Sequence, residues 1–88
     1  MLRITSTNRQ STETLKLEGK LVEPWVAELI QACSRLLEQG LQLRLDLAAV
    51  SFMDRAGTEA LRDLIRRGAT IGPCSGFIAE LLKPDTKS

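Results

Sequence analysis

This sequence contains no histidine and no tyrosine, and only one Trp and two Phe stand among its 88 residues. Without an imidazole there is no histidine-based general base, nucleophilic triad or zinc site, and the two cysteines cannot complete a zinc centre by themselves. With 3% aromatics there is no platform on which bases could stack. Charge is balanced as well: twelve basic against eleven acidic residues leave +1, which makes no electrostatic case for nucleic acid. No apolar run approaches the roughly 18 residues of a membrane span. The opening MLRITSTNRQ has no hydrophobic core of a signal peptide. Both cysteines are therefore expected as free thiols in a reducing cytoplasm, Cys33 on the apolar face of a helix and Cys74 in a loop.

What is present is the composition of an ordinary globular domain, 43% hydrophobic and 26% charged. A chain this short buries roughly 60–65% of its unfolded surface, so one domain over residues 1–88 with one core is expected. The centre of the pattern is Leu43 to Ile65, LRLDLAAVSFMDRAGTEALRDLI. Leu43, Leu45 and Leu47 alternate with Arg44 and Asp46, the period of a strand with two distinct faces. Asp54 stands where a helix N-cap belongs, and Ala60, Leu61, Leu64 and Ile65 follow at helical spacing until Gly68. Upstream, Leu2–Thr7 and Leu15–Lys20 read as strands, with a polar loop or hairpin connection over residues 6–14. Pro24 opens a helix whose stripe is Val26, Leu29, Ile30, Cys33, Leu36 and Leu37, and which Gly40 ends. Trp25 is expected as a lid on the core edge. Downstream, Ala69–Gly72 is a last strand, Pro73 and Cys74 turn the chain, and Ser75 caps a helix over residues 76–83. Pro84 stops that helix, and residues 83–88 are expected as a frayed tail. The fold class is α/β: a small mixed four-stranded sheet with about three helices. Strands joined through helices are expected parallel with right-handed crossovers, and the first two antiparallel.

The run LDLAAVSFMDRAG, with the elements on either side of it from about Leu15 onward, resembles the STAS family, named for sulfate transporters and anti-sigma factor antagonists. The resemblance implies a non-catalytic regulatory module of a bacterial cytoplasm, with no cofactor and no metal. Such a module binds a kinase-like anti-sigma factor through the first turn of the central helix, here Asp54, Arg55, Ala56, Gly57 and Thr58. In switchable members a Ser or Thr follows the Asp, and its phosphorylation adds about −1.5 to −2 charges that break the contact. Here that residue is Arg55. The nearest hydroxyls, Thr58 and Ser51, are the remaining candidate phosphoacceptors, and neither occupies the family's position. A second implied class is a STAS subunit of a lipid-type ABC transport system docking on its ATPase. Neither class involves nucleic acid or insertion into a membrane.

Each of these residues also has a plain structural role to fill. Asp54 caps a helix; Asp46 pairs with Arg44 or with a helix residue; Arg55 pairs with Glu59 one turn on, or with Asp54. Gly57 costs the helix about 1 kcal/mol against Ala, which close packing of the first turn on the sheet, or of a partner backbone, would offset. Arg62, Arg66 and Arg67 read as a solvated outer face, with Asp63 and Arg67 as an i,i+4 pair.

Overall fold

The computed structural model describes residues 2–82. Its order is β1 (Leu2–Arg9), β2 (Thr12–Leu21), α1 (Glu23–Glu38), β3 (Gln42–Met53), α2 (Arg55–Arg66), β4 (Thr70–Cys74) and α3 (Gly76–Leu82). The four strands form one sheet in the order β1-β2-β3-β4. β1 runs antiparallel to β2, while β2, β3 and β4 are mutually parallel. The mixed four-stranded sheet with three helices expected from the sequence is the one observed. The expected helix end at Lys83, the Pro84 stop and the tail over 83–88 lie outside the described residues.

The inward residues of β2 and β3, among them Leu15, Leu17, Leu21, Leu43, Leu45 and Leu47, share one core with Leu29 and Cys33 of α1, Leu61 and Leu64 of α2 and Ile78 of α3. All three helices therefore lie over one face of the sheet. Trp25 packs, half-buried, at the rim of that core. No polar or charged side chain among the described residues is fully buried.

Helices α1 and α2 end in the same way. Gly40 (φ 79°) donates to Leu37 and Leu41 to Leu36, just as Gly68 (φ 111°) donates to Ile65 and Ala69 to Leu64. This is the Schellman arrangement, and glycine is what lets the chain enter the left-handed region there. Ser75 caps α3 as expected, its hydroxyl accepting from the Ile78 amide at 3.2 Å.

Of the two readings of the polar stretch 6–14, loop or hairpin connection, the hairpin holds, and two further local expectations need correcting. The stretch is strand except for a two-residue turn at Gln10–Ser11, where Gln10 takes φ 58°. It looked like loop because residues 5–9 at the sheet's edge are exposed on both faces and so show no apolar alternation. Pro73 and Cys74 do not turn the chain but complete β4; β4 is the other edge, where a missing amide hydrogen is tolerated. Asp46 pairs with neither Arg44 nor a helix. Its Oδ1 accepts from the Ala48 amide at 3.0 Å, next to a shift in β3–β4 register.

Candidate functional site

Because β2, β3 and β4 are parallel and each leads into a helix, three helix N-termini gather at the carboxyl ends of these strands. That end of an open α/β sheet is where the chain offers irregular backbone and positive dipole ends together. The residues singled out in the sequence, Asp54 to Thr58, form the first turn of α2 in the middle of it.

Asp54 does more than cap its own helix. Its Oδ1 accepts from the Gly57 amide at 2.8 Å, closing the first turn of α2. Its Oδ2 accepts from the Glu23 amide at 2.9 Å, at the start of α1. Helix α1 has Val22 at its N-cap and no side-chain cap of its own, so Asp54 supplies one from 31 residues away. The Asp54 amide donates to the Leu21 carbonyl at 3.2 Å, which ties the same residue to the end of β2. One half-buried carboxylate thus locks two helix starts and one strand end together.

Gly57 is fully inside this junction. A Cβ there would collide with the carbonyl oxygen of Leu21 and stand 3.0 Å from Leu21 Cγ. Close approach of α2 to β2, the first of the two reasons considered for a glycine in a first helical turn, is what requires it. Ala56 is half-buried beside it. Thr58 turns its hydroxyl back onto the chain, donating to the Asp54 carbonyl at 3.0 Å. Ser51 donates to the Gly19 carbonyl at 3.3 Å. Both candidate phosphoacceptor hydroxyls are thus held by backbone oxygens.

Arg55 is the exception, because it points outward. Its side chain is 91% exposed, and Nε meets Glu59 Oε2 at 3.3 Å in the expected i,i+4 pair. An exposed pair of this kind stabilises a helix by roughly 0.2–0.5 kcal/mol. A cation in the first turn costs about 0.3–1 kcal/mol against the dipole. Local energetics alone do not account for an arginine here.

Two features escaped sequence reasoning. Phe52, just before the capping aspartate, stacks on Phe77 in the first turn of α3, with ring centroids 6.5 Å apart and planes inclined by 19°. Both rings remain exposed, at 41% and 52%. Each occurs singly in the sequence, so nothing there announces the pair. Arg62 is not part of a solvated face: it is half-buried and donates from a terminal guanidinium nitrogen to the Leu81 carbonyl at 3.0 Å, tying α2 to the end of α3. Arg66 and Arg67 do face outward, at 3.5 and 3.7 Å from the Asp63 carboxylate. Among the described residues no group of acidic, His or Cys side chains is arranged to hold a metal ion. No helix of the described residues is long and apolar enough to cross a membrane.

No protein-family model and no curated protein matches the chain. Solved structures do. An anti-sigma factor antagonist from Mycobacterium paratuberculosis superposes with a TM-score of 0.76 at 18% identity, over 92% of this chain and 77% of that one. The anti-sigma factor antagonist SpoIIAA in its unphosphorylated form gives 0.65 at 15% identity, over 91% and 94%. An antisigma-factor antagonist STAS domain from Rhodobacter sphaeroides gives 0.61 at 19% identity, over 80% and 82%. Identities of this size speak to the backbone and leave function to be argued from the site. With the mixed sheet, the three helices and the aspartate-capped central helix in place, the fold of this chain is that of the STAS domain.

Proposed function

We propose that this chain is a non-catalytic, cytoplasmic regulatory module of the anti-sigma factor antagonist kind. It docks a kinase-like protein partner at the carboxyl end of its sheet and is not switched by phosphorylation at the usual position. The observation that carries the reading is the first turn of α2. Asp54 and Gly57 are committed to the fold, whereas Arg55 reaches outward, held only by its exposed pair with Glu59. The stacked Phe52 and Phe77 rings offer the apolar anchor that a protein interface needs beside such a charge. The guanidinium can take a partner carboxylate in a two-pronged bond once Glu59 yields it. The hydroxyls of Thr58 and Ser51, already bonded to backbone carbonyls, favour an unswitched binder.

The test is capture of partners from the native source on the immobilised chain and on its Arg55→Glu variant, with calorimetry on the partner found. A kinase-like anti-sigma factor bound several-fold more weakly by the variant is the expected result. Capture of a transporter ATPase instead would assign the chain to lipid transport. Affinity unchanged by Arg55→Glu would remove the docking surface from this helix end. Incubation with the captured kinase and ATP should leave the native chain unlabelled and label Arg55→Ser; label on the native chain would point to Thr58 or Ser51.

A further inference from the structure

With all three helices on one side, the other face of the sheet is bare among the described residues. Strand alternation puts Arg9, Lys16, Lys20 and Arg44 on that face, out of phase with buried Leu15, Leu17, Leu21, Leu43 and Leu45, and all four are exposed. None of the four forms an ion pair within the described residues. Arg3 stands there too, 4.0 Å from Glu18, and Asp46 is the one other carboxylate. Five cations against two carboxylates give this face +3, whereas the whole chain carries +1. The other described residues carry five cations and eight carboxylates, −3, so the described part of the molecule is polarised across its sheet.

The face is also flat and polar. Arg44 lies along it rather than standing up: a Cβ on Gly72 of the neighbouring strand would sit 3.1 Å from Arg44 Nε. Between the cations stand the hydroxyls of Thr5, Thr7, Thr14 and Thr70, which can donate to phosphate oxygens. Among the described residues the exposed large apolar side chains are Phe52, Ile65 and Phe77, none of them in the middle of this face. A stable protein interface has an apolar centre, and this surface does not. A stacking site for bases would need aromatics along the strands, and the one aromatic in a described strand, Phe52, lies at the end of β3 with its ring stacked on Phe77.

We infer that the helix-free face of the sheet is a peripheral docking surface for an anionic phospholipid membrane, held by its spread cations and oriented by the acidic helix layer behind it. A planar array of headgroup phosphates matches a planar array of guanidinium and ammonium groups. The negative helix layer is repelled by the same membrane, so the carboxyl end carrying Arg55 is left free at the side. Such attraction is reversible, and it weakens as salt shortens the reach of each charge.

The experiment is co-sedimentation of the purified chain with vesicles of equal parts phosphatidylcholine and phosphatidylglycerol, and with phosphatidylcholine alone, at low and at physiological salt. Binding to the anionic vesicles only, falling with salt, is expected. Lys16→Glu/Arg44→Glu should lower it by roughly tenfold or more. Arg66→Glu/Arg67→Glu, an equal change of net charge on the helix layer, should leave it within about twofold. Circular dichroism melting checks that each variant folds. Where the first pair does not, Arg9→Gln/Lys20→Gln at the strand ends decides the same question by a several-fold loss. No binding to phosphatidylglycerol vesicles at low salt overturns the inference, as does equal loss from the helix-layer pair. Calorimetric binding of poly-L-glutamate or of single-stranded RNA without vesicle binding would overturn it in favour of an acidic protein or a nucleic acid.

Discussion

Replacing Asp54 with alanine removes a carboxylate that two helices share. An N-cap taken singly is worth about 0.5–2 kcal/mol, typically near 1. Here two oxygens accept from two backbone amides, Gly57 at 2.8 Å and Glu23 at 2.9 Å, and the carboxylate is half-buried. Hydrogen bonds to a charged group contribute roughly 1.5–3 kcal/mol each where solvent is excluded and less where it is not. Asp54→Ala is therefore expected to destabilise by about 2–3 kcal/mol, two caps rather than one. Against a total of roughly 5–15 kcal/mol this is a large loss. For a domain of this size it corresponds to a fall in Tm on the order of 10 °C or more. Asp54→Asn keeps one acceptor oxygen and should lose about half as much. Urea denaturation followed by circular dichroism measures both through the shift of the midpoint at constant slope. Amide hydrogen exchange separates the two bonds: Glu23 should lose protection in both variants, although it lies 31 positions away. A loss below about 1 kcal/mol with Glu23 exchange unchanged would refute the shared cap and leave only the ordinary one.

Other outcomes follow from the same structure. Gly57→Ala should destabilise by about 1–3 kcal/mol although alanine is the better helix former, because its methyl meets the Leu21 carbonyl; equal or higher stability in urea would refute that close approach. Arg55→Glu should shift folding stability by less than about 0.5 kcal/mol, since a gain at the helix dipole is set against a new repulsion with Glu59. A larger change would show that Arg55 supports the fold. Burial pushes the Cys33 thiol up from 9.0 to about 11, partly countered by the nearby Arg67 charge. Its neutral form is the one the fold favours, so this contribution is complete below about pH 9 and is lost as pH rises toward 11; the alkaline fall in stability should be shallower in Cys33→Ala. In the native chain a thiol reagent at neutral pH should modify half-buried Cys74 and spare Cys33, and both should react in denaturant.

Much of this protein could be read from local pattern, because local pattern reports local physics. The Leu43, Leu45, Leu47 alternation, the α1 stripe around Leu29 and Cys33, and the glycines at 40 and 68 each depend on the geometry of one element, and each stands where its periodicity put it. The Asp54 cap was legible for the same reason: a cap is a bond between residues three apart. Strand β1 beyond Thr7 was not, since an edge strand exposed on both sides has no buried face to leave a trace. Pro73 read as a turn because sequence does not tell an edge from a central strand. The bond from Asp54 to Glu23, the collision that reserves position 57 for glycine and the Phe52–Phe77 stack all join residues 20 or more positions apart. Only the order of strands and the seating of helices on one face brings such partners together. The same seating gathers cations that are dispersed along the chain into a basic sheet face and leaves a helix layer of net negative charge, most of it on α1, behind it, and a net charge of +1 carries no sign of that division.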